Sequence, residues 1–225
     1  SLDSISLHGY TSAQGDLETR QAIADYLNNT YETNFKADNF YMTMGAAASL
    51  SIAFKALTSS PDDEIIAIAP FFPEYRVFVT AAGAKFNVVA PDTKNFQINF
   101  DEFEKLVNKN TKAVIINSPN NPSGAVYSEQ TIKKLADFLS KKSEEYGTHI
   151  FIITDEPYRE IVYDGVEVPY VTKYYNDTIV CYSYSKSLSL PGERIGFILV
   201  PDEAYESKRL YAAVCGAGRA LGYVC

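Results

Sequence analysis

Two rhythms of apolar residues alternate along the chain. Short runs, most of them rich in β-branched side chains, occupy 64–69, 85–89, 113–117, 150–154, 178–182 and 195–200. Most are apolar throughout, the pattern of strands covered on both faces. Stripes at helical spacing separate several of them. Asp16 precedes Leu17, Ile23, Tyr26 and Leu27, which puts an acidic cap at the start of a helix. A second helix is predicted over 47–57. Behind Ser128, the residues Ile132, Leu135, Ala136 and Leu139 recur at i, i+3, i+4 and i+7, the apolar face of a capped amphipathic helix. Strands joined by crossover helices make an α/β chain, and right-handed crossovers build a three-layer α/β/α arrangement about a mostly parallel sheet.

No internal repeat, low-complexity tract or long linker interrupts this alternation, so the chain reads as a single domain, 1–225. From Pro201 a mostly helical pattern passes through Tyr205, Leu210, Val214 and Leu221 and stops at Cys225. The chain is therefore expected to end between domains, and a serine at position one reads as a trimmed start.

Composition narrows the possible functions. Of 225 residues, 46% are hydrophobic and 21% charged, the profile of a folded globular chain, and the formal net charge of −8 argues against a nucleic-acid binder. The longest apolar stretches, 65–72 and 113–116, are far short of a bilayer span. The first ten residues lack the basic and apolar regions of a secretory signal. Cys181, Cys215 and Cys225 are odd in number and contain no CxxC pair, which points to a reducing, cytoplasmic setting. His8 and His149 stand alone, so no metal site is expected.

Candidate chemistry gathers where strands end, the side of an open α/β sheet at which ligands bind. Ile116 runs into Asn117-Ser118-Pro119-Asn120-Asn121-Pro122-Ser123-Gly124. Ile153 runs into Thr154-Asp155-Glu156-Pro157-Tyr158, and Tyr182 into Ser183-Tyr184-Ser185-Lys186. A fourth segment, Thr43-Met44-Gly45-Ala46-Ala47-Ala48-Ser49, has little side-chain bulk at the mouth of a helix, which suits an anion held by backbone amides.

These segments together resemble the class I/II aminotransferases, fold-type I enzymes of pyridoxal 5′-phosphate (PLP). The most specific element is Ser183-Tyr184-Ser185-Lys186 followed by Gly192-Glu193-Arg194-Ile195-Gly196, with Arg194 eight residues after the lysine. The resemblance implies the large, cofactor-binding domain of such an enzyme, acting on a small-molecule amino acid and a 2-oxo acid. It makes Lys186 the Schiff-base lysine, which must be deprotonated to attack an aldehyde and then shuttles a proton between the substrate α-carbon and the cofactor C4′. Asp155 would face the pyridine nitrogen, while Tyr158 and Asn121 bond the cofactor's 3′ oxygen. The amides of Gly45, Ala46 and Ala47, the hydroxyls of Ser183 and Ser185, and Arg194 would hold the phosphate. Ser187 and Ser189 are read as turn residues. Phe72 aligns with the aromatic that stacks on the ring, with Phe71 its competitor.

Tyr10 matches a tyrosine that reaches the phosphate of a neighbouring subunit, which implies a homodimer. The family's sharp bend makes Asn121-Pro122 a candidate cis peptide. A PLP-dependent lyase, or a catalytically silent PLP-binding sensor, would share these residues. The resemblance also places the substrate-carboxylate arginine in a smaller C-terminal domain beyond Cys225, so the chain alone is expected to bind cofactor without efficient transamination.

Overall fold

The computed structural model of the chain describes residues 10–223. Asp16 accepts the Thr19 N–H at 2.8 Å and so opens α1 (Leu17–Tyr31). Strand β1 (Phe40–Thr43) leads through Gly45 into α2 (Ala46–Leu57). Then come β2 (Glu64–Ile68), α3 (Glu74–Ala82), β3 (Lys85–Val89), α4 (Phe100–Leu106) and β4 (Thr111–Asn117). Ser128 caps α5 (Glu129–Tyr146) by accepting the Thr131 N–H at 3.1 Å, and Gly147 closes it in the left-handed conformation. The rest is β5 (Phe151–Asp155), β6 (Thr178–Ser183), the single turn α6 (Tyr184–Ser187), β7 (Gly196–Leu199) and α7 (Ser207–Ala220).

The seven strands form one sheet in the order β1-β7-β6-β5-β4-β2-β3. The pairs β3–β2, β2–β4, β4–β5 and β5–β6 are parallel, whereas β7 runs antiparallel to both β6 and β1. Alternation along each strand divides the core into layers. Ile65, Ala67, Ala113, Ile115, Phe151 and Ile153 face one side with residues of α2, α3 and α7. Ile66, Ile68, Val114, Ile116 and Ile152 face the other with Ile132, Leu135 and Leu139 of α5. Ile23, Ala24 and Leu27 of α1 cover the β1-β7-β6 end of that second face. The result is the three-layer α/β/α sandwich.

The structure adds to the sequence reading at three places. β1 is a strand the hydrophobic pattern does not isolate, because its four residues are all buried and show no period of their own. The antiparallel sense of β7 is set by its neighbours rather than by its sequence. The last helix starts at Ser207, not at Pro201, because 201–206 form turns that end with Glu206 at φ 47°. Among the described residues no helix is long and apolar enough to cross a membrane, and no group of three His, Cys, Asp or Glu side chains could hold a metal ion.

Candidate active site

β4, β5 and β6 end on the same edge of the sheet and open onto a cavity of about 280 Å3. Of the residues that the resemblance assigns to the cofactor, Ala46, Ala47, Phe72, Asn121, Asp155, Tyr158, Ser183, Ser185, Lys186 and Arg194 line it, whereas Gly45 and Tyr10 do not. Leu50, Pro157 and Pro191 complete the lining.

Asp155 is the last residue of β5, and its side chain is buried. The Tyr75 hydroxyl on α3 donates to Asp155 Oδ2 at 2.5 Å, while Oδ1 is buried without a partner. Burial is the main reason that its carboxyl is pushed up to about 7, and the nearby Glu156 charge adds to it, although the Tyr75 bond opposes the rise. Tyr75 in turn is held well above the usual phenol range, first by its own burial and then by the Asp155 charge.

Asn117 ties two strand ends together. Its Nδ2 donates to the Asp155 carbonyl at 2.8 Å and its Oδ1 accepts the Asn121 N–H at 2.6 Å. The bend beyond it contains cis peptides at Ser118-Pro119 and at Asn121-Pro122, the latter as expected from the sequence, and a third lies at Ala69-Pro70. Tyr158 completes this wall. Burial followed by the Asp155 charge raises its hydroxyl above the ordinary value, and a bond with Asn121 opposes them.

Lys186 sits on α6 with Nζ 6.0 Å from the centre of the Tyr158 ring. Ser183 ends β6 and caps that turn: its Oγ accepts the Ser185 N–H at 3.2 Å and donates to Ser185 Oγ at 2.8 Å. Ser187 hydrogen-bonds the Tyr182 hydroxyl at 2.8 Å and does not line the cavity, and Ser189 lies in a left-handed turn.

Opposite, α2 begins at Ala46 with no side chain capping its first amides, leaving donors and the positive end of the helix dipole at the cavity wall. The Arg194 guanidinium packs directly over Gly45, anchored by Nη1 donating to the Pro191 carbonyl at 3.0 Å. A Cβ at Gly45 would stand 2.9 Å from Arg194 Nη2, and the φ of 93° there disfavours any other residue. Thr43 Oγ1 and Ser49 Oγ, 2.7 Å apart, brace the same turn.

Phe72 lines the cavity and meets Tyr75 edge-on, with ring centroids 5.7 Å apart. Phe71 turns away and meets Phe86 at 5.3 Å. Tyr10 is fully exposed and stands outside its own chain's cavity. Sequence reasoning did not find Tyr75 or Asn117. Asn117 was within reach, as the first polar residue after an apolar strand. Nothing local marks Tyr75, whose role arises only when α3 closes over β5.

One cavity thus brings together Lys186, the buried Asp155, the Phe72 ring, the uncapped start of α2 and the Arg194 guanidinium. Residues 1–217 match the family "Aminotransferase class I and II", and the chain belongs to that family. It is 33% identical over 195 residues to the probable N-acetyl-LL-diaminopimelate aminotransferase of Bacillus subtilis, covering 86% of this chain and 48% of that protein. It is 32% identical over 210 residues to the aspartate aminotransferase of Pyrococcus horikoshii, covering 92% and 52%. An amino transferase structure from Eubacterium rectale aligns with TM-score 0.98 and 72% identity over 100% of this chain and 56% of that one. The Thermotoga maritima aspartate aminotransferase aligns with TM-score 0.85 and 31% identity over 96% and 55%. The chain thus spans about half the length of the curated relatives it matches.

Aspartate-type members of this family use PLP. Two features of the site fit it. The orphaned Asp155 Oδ1 is an acceptor waiting for a ring N–H. The uncapped first amides of α2 and the Arg194 guanidinium, which closes over Gly45 so tightly that a Cβ there would crowd it, stand side by side at the cavity wall, a pairing of N–H donors and cation that suits a phosphate.

Proposed function

We propose that this chain forms the cofactor-binding part of a PLP-dependent aminotransferase that moves an amino group from an amino acid to a 2-oxo acid. The observation that carries the reading is the convergence of Lys186, Asp155, Asn121, Tyr158 and Arg194 on one cavity, with Asp155 Oδ1 unpartnered. When bound, PLP would supply an aldehyde that takes up the amine and a ring that delocalises the electrons left on the α-carbon.

The chain's residues do the rest. Lys186 Nζ would be the amine that holds the cofactor and, when free, the base positioned to take the substrate's α-proton. Asp155 would keep the ring nitrogen protonated by accepting its N–H as a hydrogen bond at the unpartnered Oδ1. That cation relieves the penalty that burial imposes on its own charge. Asn121 and Tyr158 orient and partly neutralise the ring oxygen. The α2 amides, Ser183, Ser185 and Arg194 fix the phosphate, so the reacting end is presented without further reorganisation.

Two further parts of the reading rest on single features. Tyr10 is fully exposed and does not line its own chain's cavity, which suits a role in a second copy's site within a homodimer. Cys181 and Cys215 are free thiols, in keeping with a reducing cytoplasm.

The test is a single-turnover experiment on the chain loaded with PLP and incubated with individual amino acids. The expected result is one equivalent of 2-oxo acid and one of cofactor amine, formed in a slow single turnover rather than in rapid catalysis. Consumption of the amino acid with the cofactor left as aldehyde would favour a lyase, and no change in either would favour a sensor.

A further inference from the structure

Asp155 and Glu156 leave the end of β5 on opposite faces of the sheet. Asp155 enters the cavity. Glu156 turns with Thr154 toward α1, where it is buried and does not line the cavity. Thr154 Oγ1 donates to Glu156 Oε1 at 2.8 Å. Three residues on, Arg159 Nε donates to Glu156 Oε2 at 2.7 Å, and Arg159 Nη2 lies 2.5 Å from Oε1. The pair is almost fully withdrawn from water, at 4% and 1% side-chain exposure for Arg159 and Glu156. The guanidinium packs on aromatic faces, 4.7 Å from the Tyr170 centroid and 5.3 Å from that of Tyr31.

A buried pair of this kind gives little net stability compared with apolar side chains of the same volume, yet loss of one partner leaves a bare charge in a dry interior. Its placement gives it another use. The Glu156–Arg159 bridge spans the turn whose two functional residues are Asp155, directly before it, and Tyr158, inside it.

We propose that the Glu156–Arg159 pair is a positioning device for the cofactor site: it clamps the turn carrying Asp155 and Tyr158, and by cancelling the Glu156 charge it keeps Asp155 able to stand ionised against a protonated ring nitrogen. The proposal rests on the PLP reading above. Neither residue touches the cavity, so they act through Asp155 and Tyr158 alone. The other titratable groups facing Asp155 are Tyr75 on α3, Cys181 on β6, Tyr158 in the following turn and, across the cavity, Lys186 and Arg194. None of them offsets a bare Glu156 from its own side of the sheet.

The experiment uses the full chain with added PLP and compares wild type, Arg159→Met, Glu156→Gln and the double variant. Two quantities are read: the PLP dissociation constant and the pH profile of the visible absorbance of lysine-bound PLP. Arg159→Met should weaken PLP binding by about tenfold or more and displace the pH profile, because it leaves the carboxylate uncompensated. The double variant removes both charges and the clamp, so it should regain the wild-type pH profile and most of the affinity lost in Arg159→Met, keeping only the deficit of an unclamped turn, within about threefold of wild type. A clamp without electrostatic action would leave the double variant at least as impaired as the singles, and an unmoved pH profile in Arg159→Met would also overturn the proposal. If Arg159→Met does not fold, Arg159→Lys takes its place: it keeps the cation but loses the bidentate fork, so affinity should fall while the pH profile stays at the wild-type position, and a displaced profile would overturn the proposal. Wild-type protein that takes up no PLP would instead remove the reading beneath, and is told apart by failing before any variant is compared.

Discussion

Asp155→Asn should make the cofactor-free protein more stable at pH 8 while crippling its chemistry. Burial with no partner at Oδ1 raises this carboxyl from 3.8 to about 7. At about 1.36 kcal/mol for each tenfold change in protonation equilibrium, holding it ionised in the fold costs on the order of 4 kcal/mol. The folded carboxyl binds its proton more tightly than the unfolded one, so the native state carries more protons between pH 3.8 and about 7. Stability of the cofactor-free wild type therefore falls as pH rises through that window and levels off above it.

An amide does not titrate. It leaves its own N–H unpaired where Oδ1 stood, an offset of about 1–3 kcal/mol that is independent of pH. The difference in unfolding free energy between Asp155→Asn and wild type should thus grow by about 3 kcal/mol in the variant's favour from pH 5 to pH 8. Urea unfolding of both cofactor-free proteins at the two pH values measures it. The loaded variant should still bind PLP through its phosphate but lose proton abstraction from the substrate, since no anion holds the ring nitrogen protonated. A stability difference that does not change with pH would refute the reasoning, because it would mean that Asp155 is already ionised at no cost and needs no cation.

Two further substitutions probe the walls of the site. Tyr158→Phe removes a hydroxyl near the ring oxygen and should shift the pH midpoint of the PLP absorbance while costing less activity than Asp155→Asn; equal losses in both would contradict the separate roles. Gly196→Ala would drive a Cβ into the Tyr182 carbonyl and to 2.9 Å from the Gly45 Cα, so it should destabilise the fold by about 3 kcal/mol or more in denaturant titration and weaken phosphate binding in step; a variant as stable as wild type would show that β6, β7 and the α2 turn are not packed backbone to backbone there.

The chemistry of the site was more legible in the sequence than the scaffold that aims it. Asp155, Asn121 and Lys186 lie in the polar segments that follow three apolar runs, and strand ends are where an α/β sheet exposes polar groups, so position pointed to these segments while the role of each residue came from the family resemblance. Neighbours in an extended segment face opposite sides, so one of Phe71 and Phe72 had to turn from the ring; the resemblance selected Phe72, which precedes the matched proline, and the structure places Phe72 at the cavity and Phe71 against Phe86. Tyr75 was not legible: on α3 it reads as one more core aromatic, and only the closure of that helix over β5 brings its hydroxyl to Asp155. Nothing local marks Glu156 and Arg159 as a buried pair, because only the packing of α1 over the sheet withdraws that turn from water. β1 escaped notice because four buried residues have too short a period to read. The approach of Gly45 to Gly196 joins distant parts of the chain, which no local pattern carries.

The account rests most directly on Lys186, whose side chain is exposed at the mouth of the cavity. Purified protein mixed with PLP, reduced with borohydride and digested should give one modified peptide, carrying the reduced cofactor on Lys186. Lys186→Ala should fold with unchanged stability and give no such peptide. Modification spread over several surface lysines, or an unmodified Lys186 in the wild type, would contradict the account.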